Sequence, residues 1–176
     1  VRIARSGDHL YIANSTSDPE GGISAVDVSD PQNPVFITTI DPPETYMSGA
    51  GNVVAATGNS SGLLLVDISD PVNPIYGAEL NTAWSTIDIA TSGDHAYIGS
   101  NGFRVFDMSD PSYPLQVGFE PTQGAIARIS DTLAVYIPQS MSSGNRVNIM
   151  NISDPANPAF VDYYAPPVMT NELALK

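Results

Sequence analysis

An all-β protein made of stacked four-stranded sheets, a β-propeller, is what the sequence predicts, and three observations carry it. The first is a phrase said four times. It runs Val26-Asp27-Val28-Ser29-Asp30-Pro31-Gln32-Asn33-Pro34, and returns from Val66 to Pro74, Phe106 to Pro114 and Met150 to Pro158. Pro31, Pro71, Pro111 and Pro155 stand 40, 40 and 44 residues apart, and a fixed period of this size marks a repeat architecture. The second is the patterning inside each period: short alternating apolar runs, punctuated by Gly, Asn, Asp and Pro, as strands and hairpins require. No window carries a persuasive helical period. The third is the run before each Ser-Asp-Pro. Its columns are Ile23/Leu63/Phe103/Val147, Ala25/Leu65/Val105/Ile149, Val26/Val66/Phe106/Met150 and Val28/Ile68/Met108/Ile152. These are apolar on both faces of a strand. A lone sheet would leave one face wet, forfeiting about 1.5–3 kcal/mol for each large side chain exposed. Radial stacking of four-stranded units removes that loss.

The elements follow in order. Unit three is the plainest: Thr86–Ala90, the turn Ser92-Gly93-Asp94, His95–Gly99, the tight turn Ser100-Asn101-Gly102, Phe103–Met108, then Ser109-Asp110-Pro111 leading into Leu115–Phe119. Unit one overlays on it through Val1–Ala4, His9–Ile12, Ile23–Val28 and Val35–Ile37, and its turn Ser6-Gly7-Asp8-His9 repeats at Ser92 to His95. Unit two starts loosely at Tyr46-Met47-Ser48 and continues through Val53–Ala56, Leu63–Ile68 and Ile75–Gly77. Unit four gives Ala125–Ile129, Leu133–Ile137, Val147–Ile152 and Phe160–Tyr163. Blades are expected at about 1–41, 42–81, 82–121 and 122–164, with 165–176 opening a fifth. A partial propeller is therefore expected, belonging to a larger one or completed by another molecule. A chain that starts at Val1 reads as processed, truncated or partly represented.

Composition narrows the role. Apolar residues make up 42% of the chain, which argues against disorder. No apolar run approaches the length of a membrane span, so no membrane insertion is expected. Cysteine is absent, excluding disulfides and thiolate metal sites. The formal charge of −13 argues against nucleic acid, whose binding needs a cationic footprint, and against anionic lipid.

The recurring polar residues read as structural. The column Asp27, Asp67, Asp107, Asn151 offers an oxygen acceptor to a nearby backbone N–H, and Asn can do so as well as Asp. Ser-Asp-Pro-x-Asn-Pro is a turn by its chemistry, and its second Pro opens an edge strand. His9 and His95 are repeat equivalents rather than a catalytic pair. No nucleophile motif, metal spacing or phosphate loop is present, so no catalytic residue, metal or cofactor is assigned. Asn14-Ser15-Thr16, Asn59-Ser60-Ser61 and Asn151-Ile152-Ser153 match the glycosylation pattern by chance composition, the last inside a strand.

The pattern Gly-x-x-(apolar)-(apolar)-Asp-(apolar)-Ser-Asp-Pro-x-Asn-Pro resembles the LVIVD-type repeat of bacterial and archaeal propeller proteins, and Leu65-Val66-Asp67-Ile68 is the nearest to its core. Asn151 in the Asp column and Tyr113 in the Asn column depart from it. The resemblance implies a propeller in an extracellular or cell-surface protein, and it brings no catalytic residue.

Topology then says where function sits. In an up-and-down blade the first and third hairpin turns share one end, and here they are near-constant. The second-to-third loops and the blade connectors share the other end, and they vary: Asn14 to Gly22 and Pro138 to Arg146 are long, Thr57 to Gly62 is medium, Ser100 to Gly102 is minimal. Variable loops on a rigid scaffold are the usual place for binding. The candidate ligand contacts are Asn14, Glu20, Tyr46, Trp84, Gln139 and Arg146, with a protein or glycan as the partner. Trp84, the only Trp, is either a stacking platform or a packing residue. A non-catalytic binding or assembly scaffold is the favoured function. The alternative is a glycan-processing or other hydrolase with carboxylates at the channel mouth, for which Glu44, Asp88, Glu120 and Glu172 lie on or near connectors. Self-assembly through open blade edges is a further expectation.

Overall fold

A computed structural model gives the fold. It describes residues 2–13, 22–40, 46–58, 62–80, 86, 88–121, 124–138 and 146–165. Of residues 165–176, expected to open a fifth unit, all but Ala165 lie outside the described residues.

Sixteen strands form four antiparallel sheets, and no helix occurs among the described residues. Blade 1 holds β1 (Arg2–Ser6), β2 (His9–Ala13), β3 (Ile23–Asp27) and β4 (Val35–Ile40). Blade 2 holds β5 (Tyr46–Ala50), β6 (Val53–Gly58), β7 (Gly62–Asp67) and β8 (Ile75–Leu80). Blade 3 holds β9 (Asp88–Ser92), β10 (His95–Gly99), β11 (Phe103–Asp107) and β12 (Leu115–Glu120). Blade 4 holds β13 (Gly124–Ile129), β14 (Leu133–Pro138), β15 (Val147–Asn151) and β16 (Ala159–Tyr164). Each strand pairs with its sequence neighbour. The first strand of blade 3 starts at Asp88 rather than Thr86, while the loose opening of unit two is a full strand from Tyr46.

The register repeats as well. A β-bulge interrupts the pairing of the third and fourth strands in all four blades, for instance between Val105 and Phe106 and between Ile149 and Met150. One bulged residue bends the outer strand and sharpens its twist.

The core lies between blades, as the two-faced apolar columns require. Tyr11 and Ala25 on the back of blade 1 join Val54, Val66 and Ile68 on the front of blade 2. Leu63 and Leu65 on the back of blade 2 join Ile98, Phe106 and Met108 of blade 3. Phe103 and Val105 on the back of blade 3 join Tyr136, Met150 and Ile152 of blade 4. The first strands line up along the inner edge, β1 against β5, β5 against β9 and β9 against β13. There Ser48 and Thr91 share a hydroxyl hydrogen bond of 2.8 Å across a seam.

Two glycines mark how tightly blades approach. A Cβ at Gly77 would overlap the Pro111 carbonyl of the next blade, and one at Gly118 would overlap that of Pro155. Beside the first, the Ala78 amide donates to the Pro111 carbonyl at 2.8 Å. Each Ser-Asp-Pro turn in these seams is thus seated on the outer strand of the preceding blade.

Candidate functional site

The two ends of the blades are distinguishable by their hydrogen bonds. At one end the residue after each third strand donates to the first hairpin turn: Val28 to Asp8, Ile68 to Asn52, Met108 to Asp94 and Ile152 to Thr132, all at 2.7–2.8 Å. The first and third turns therefore share this end. At the other end the Gly124 amide, opening β13, donates to the Ser100 carbonyl in the β10–β11 loop at 3.3 Å. Connectors and second-to-third loops share that end, as the topology demanded.

The constant end is locked internally. Asp27, Asp67 and Asp107 each accept the backbone N–H of Ser29, Ser69 and Ser109 at 2.8 Å, and Asn151 accepts that of Ser153 at 2.9 Å. One residue type thus substitutes for the other with the bond kept. Asp30 accepts the Gln32 amide and the Asn33 side chain, and Asp70 and Asp154 repeat both bonds. Tyr113 stands in the Asn column of blade 3, where Asp110 still accepts the Ser112 amide. These bonds favour the ionised form. The Ser29 and Ser109 amides hold the Asp27 and Asp107 carboxyls below the usual carboxylate range, and the Asn33, Asn73 and Asn157 side chains do so for Asp30, Asp70 and Asp154. His9 and His95 pair in register with Asp27 and Asp107, a repeated placement in keeping with a structural role.

A test follows from the Asp column. Asp67→Asn is expected to stay within about 0.5 kcal/mol of the parent. Asp67→Ala is expected to cost about 0.5–1.5 kcal/mol, the net worth of one exposed hydrogen bond to the Ser69 amide. Thermal melts decide it, and a large loss in the Asn variant would make the charge itself the requirement.

The described cleft of note lies at this constant end, between blades 2 and 3, and sequence reasoning did not find it. It holds about 390 Å³ and is lined by Asn52, Asp67, Ser69, Asp94 and Ser109 among others. No group of three potential metal ligands gathers anywhere among the described residues. The cleft is polar, and Asp67 within it is already committed to the Ser69 amide.

At the variable end the candidate contacts divide. Asn14, Glu20, Trp84 and Gln139 lie outside the described residues. Tyr46 opens β5, opposite Thr57 at the end of β6, on the inner rim. Arg146 precedes β15, with its guanidinium 5.5 Å from the centre of the Tyr163 ring, and its Nε is buried without a hydrogen-bond partner. Of the candidate carboxylates, Glu44 and Glu172 lie outside the described residues, and Asp88 accepts the amide of Ile89 at 2.9 Å.

Near Arg146 a polar cluster that the sequence did not announce lines the blade 3–4 seam. Asn148 is buried with its Oδ1 unpartnered, and it pairs in register with Tyr136. Burial pushes the Tyr136 phenol well above its ordinary value, and the nearby Glu120 charge adds to the effect. One signal was available: Asn148 is a polar residue between the apolar Val147 and Ile149, in the column that holds Leu64 in blade 2.

Four-stranded antiparallel sheets, stacked face to face with first strands along the inner edge, define an arc of a β-propeller. The chain belongs to the LVIVD repeat family, whose model matches residues 1–41, 54–82 and 85–119. The fourth copy, with Asn151 in the Asp column, lies outside those ranges. No curated protein matches the chain. Among solved structures it is similar to a functionally unknown protein from Desulfotomaculum acetoxidans DSM 771, with a TM-score of 0.73 at 14% identity over 97% of this chain and 57% of that one. It is also similar to a chain of a nidogen/laminin complex, with a TM-score of 0.60 at 12% identity over 93% of this chain and 62% of that one. The apo form of AztD from Citrobacter koseri aligns with a TM-score of 0.54 at 12% identity, over 98% of this chain and 47% of that one. The chain therefore spans less than two thirds of the length of each of these three structures. At such identities the likeness speaks for the fold alone.

Proposed function

We propose that this chain is a non-catalytic binding and assembly scaffold, working outside the cell or on its surface, that takes a protein or glycan on its variable-loop end. The observation that carries this reading is the asymmetry between the two ends. The repeated polar groups at the constant end are consumed by their own turns. At the other end connections of very different length leave an otherwise repeated scaffold: β2 to β3 spans Ala13 to Ile23, while β10 to β11 spans only Gly99 to Phe103. Rigid frames with loops of unequal length are built for recognition. The extracellular setting is supported by what the LVIVD resemblance implies, and partner binding by a similar fold solved within a nidogen/laminin complex.

The experiment replaces residues 139–145, the long connection of blade 4, with the short Ser100-Asn101-Gly102 turn of blade 3. Parent and variant are then read on a printed glycan array and on a panel of immobilised extracellular proteins. A ligand bound by the parent and lost by the variant, with an unchanged melt, is the expected result. A parent that binds nothing on either panel, or equal binding by both chains, contradicts the reading.

A further inference from the structure

The seam between blades 2 and 3 has a blade on each side, and at the constant end it opens into the polar cleft of about 390 Å³. The repeat shows why it opens there. His9 pairs in register with Asp27 in blade 1, and His95 with Asp107 in blade 3, so each aspartate has an imidazole beside it on the same face. In blade 2 the register partner of Asp67 is Val53. Valine is shorter than histidine and carries no nitrogen. The place beside Asp67 therefore has neither the bulk nor the base that the sister blades supply. The turn residues differ as well. The carbonyl that receives the amide after the third strand belongs to Asp8, Asn52, Asp94 and Thr132 in the four blades. Asp67 of blade 2 and Asp94 of blade 3 both line the cleft, so its two carboxylates come from opposite sides of the seam. In the same two columns the blade 1–2 seam has Asp27 and Asn52, and the blade 3–4 seam has Asp107 and Thr132. Among the described residues none that lines the cleft is basic.

We infer that this cleft binds a compact organic cation, an ammonium or guanidinium group on a short aliphatic stem, between Asp67 and Asp94. Three features select that class. Carboxylates on both walls attract positive charge from two sides, and a partly enclosed site screens them less than open water does. Asp67 gives one oxygen to the Ser69 amide, which leaves the other for a second donor, and the Asn52, Ser69 and Ser109 side chains add further acceptors. Several acceptors suit the three N–H groups of an ammonium or the five of a guanidinium. Val53 and Pro111 give the cleft an apolar wall, and side-chain cations of this kind lay their methylene stems along such surface. The volume lies within the usual small-ligand range of about 300–1,000 Å³. A bare divalent cation matches less well, since calcium takes about six to eight oxygen ligands and no group of three potential metal ligands gathers among the described residues. A free amine and the Lys or Arg side chain of a binding protein present the same group, and the test separates them.

The cleft is at the opposite end from the variable loops, so the loop-shortened chain should bind the cation as the parent does, and the two ideas fail separately. The test is an NMR titration of amide shifts in the isotope-labelled chain, with methylguanidinium chloride and n-butylammonium chloride at constant ionic strength. Saturable shifts are expected at residues 51–53, Ser69, residues 93–94 and Ser109, and none at the equivalent residues 7–9 and Ser29 of blade 1. Asp94→Asn, on an exposed turn, is expected to weaken binding about tenfold with an unchanged melt, the loss of one charge-assisted contact. Val53→His, which gives blade 2 the residue of blades 1 and 3, is expected to abolish the saturable shifts and keep the fold. If that imidazole does not pack, Asp94→Lys places the chain's own cation at the cleft and carries the same comparison. A capped Gly-Arg-Gly peptide that binds more tightly than methylguanidinium assigns the cleft to a protein's side chain, and one that binds no more tightly assigns it to a free cation; either upholds the site. Shifts that are absent, that rise without saturating, that appear equally in the turn of blade 1, or that persist in a folded Val53→His chain overturn the inference. So does calcium chloride producing the same shifts at a lower concentration than either organic cation.

Discussion

Phe103→Ala is expected to destabilise the protein by about 3–5 kcal/mol, the usual cost of emptying a fully enclosed aromatic site. Phe103 is completely buried on the back of blade 3. Its ring stands edge-on to Tyr136 of blade 4 at 5.5 Å and tilted to Tyr97 at 6.0 Å. That arrangement adds to the burial term, since aromatic pairs in edge geometry contribute about 0.5–1.5 kcal/mol beyond area. The cavity would open at a seam between two sheets, and blade 3 cannot move to close it without leaving blade 2. Phe119→Ala is the matched control. Its ring is exposed on the outer strand, lying against Gly102 with the Arg104 guanidinium at 4.6 Å, so the loss should be about 1 kcal/mol or less. Denaturant unfolding of both variants at one protein concentration reads the difference. Equal losses would mean that the seam does not hold the core.

Gly118→Ala is the second large effect, expected at about 1–3 kcal/mol or somewhat more. The added methyl would overlap the Pro155 carbonyl and press on Pro158 Cδ at 3.0 Å and Val105 Cβ at 3.2 Å. Backbone and a proline ring do not yield as a flexible side chain does. The damage should be local, with amides of β14 and β15 exchanging faster while β6 and β7 keep their protection. An unaltered melt would show that the turn of blade 4 does not sit on β12.

These two positions also show what the sequence could and could not say. The four copies, the four-stranded units, the two-faced third strands and the role of the Asp column were all legible, because each is written in local periodicity or turn chemistry. Phe103 was legible as core for the same reason. Gly118 was not legible as a close approach, because its constraint is a carbonyl in the next blade. Ile3 and Ile89 are the same residue in the same column, and among the described residues a neighbouring blade lies against Ile89 alone. The same limit applies to the site. Loop lengths identified the variable end, but the Asn148–Tyr136 register across β14 and β15 and the cleft beside Asp94 arise from pairings no single strand encodes. Arg146 is the one candidate contact whose side chain can be placed, and it lies over Tyr163.

Native-state hydrogen exchange tests most directly the claim that burial between blades, rather than within them, holds the fold together. Leu63–Val66 of β7 and Phe103–Phe106 of β11 are enclosed on both sides, whereas β16 is exposed along its length. Amides in covered strands open only with the global free energy, and edge amides open locally. The slowest exchange is expected in β6, β7, β10 and β11, and the fastest among the strands in β16. Protection as strong in β16 as in β7, or uniform across the four blades, would contradict it.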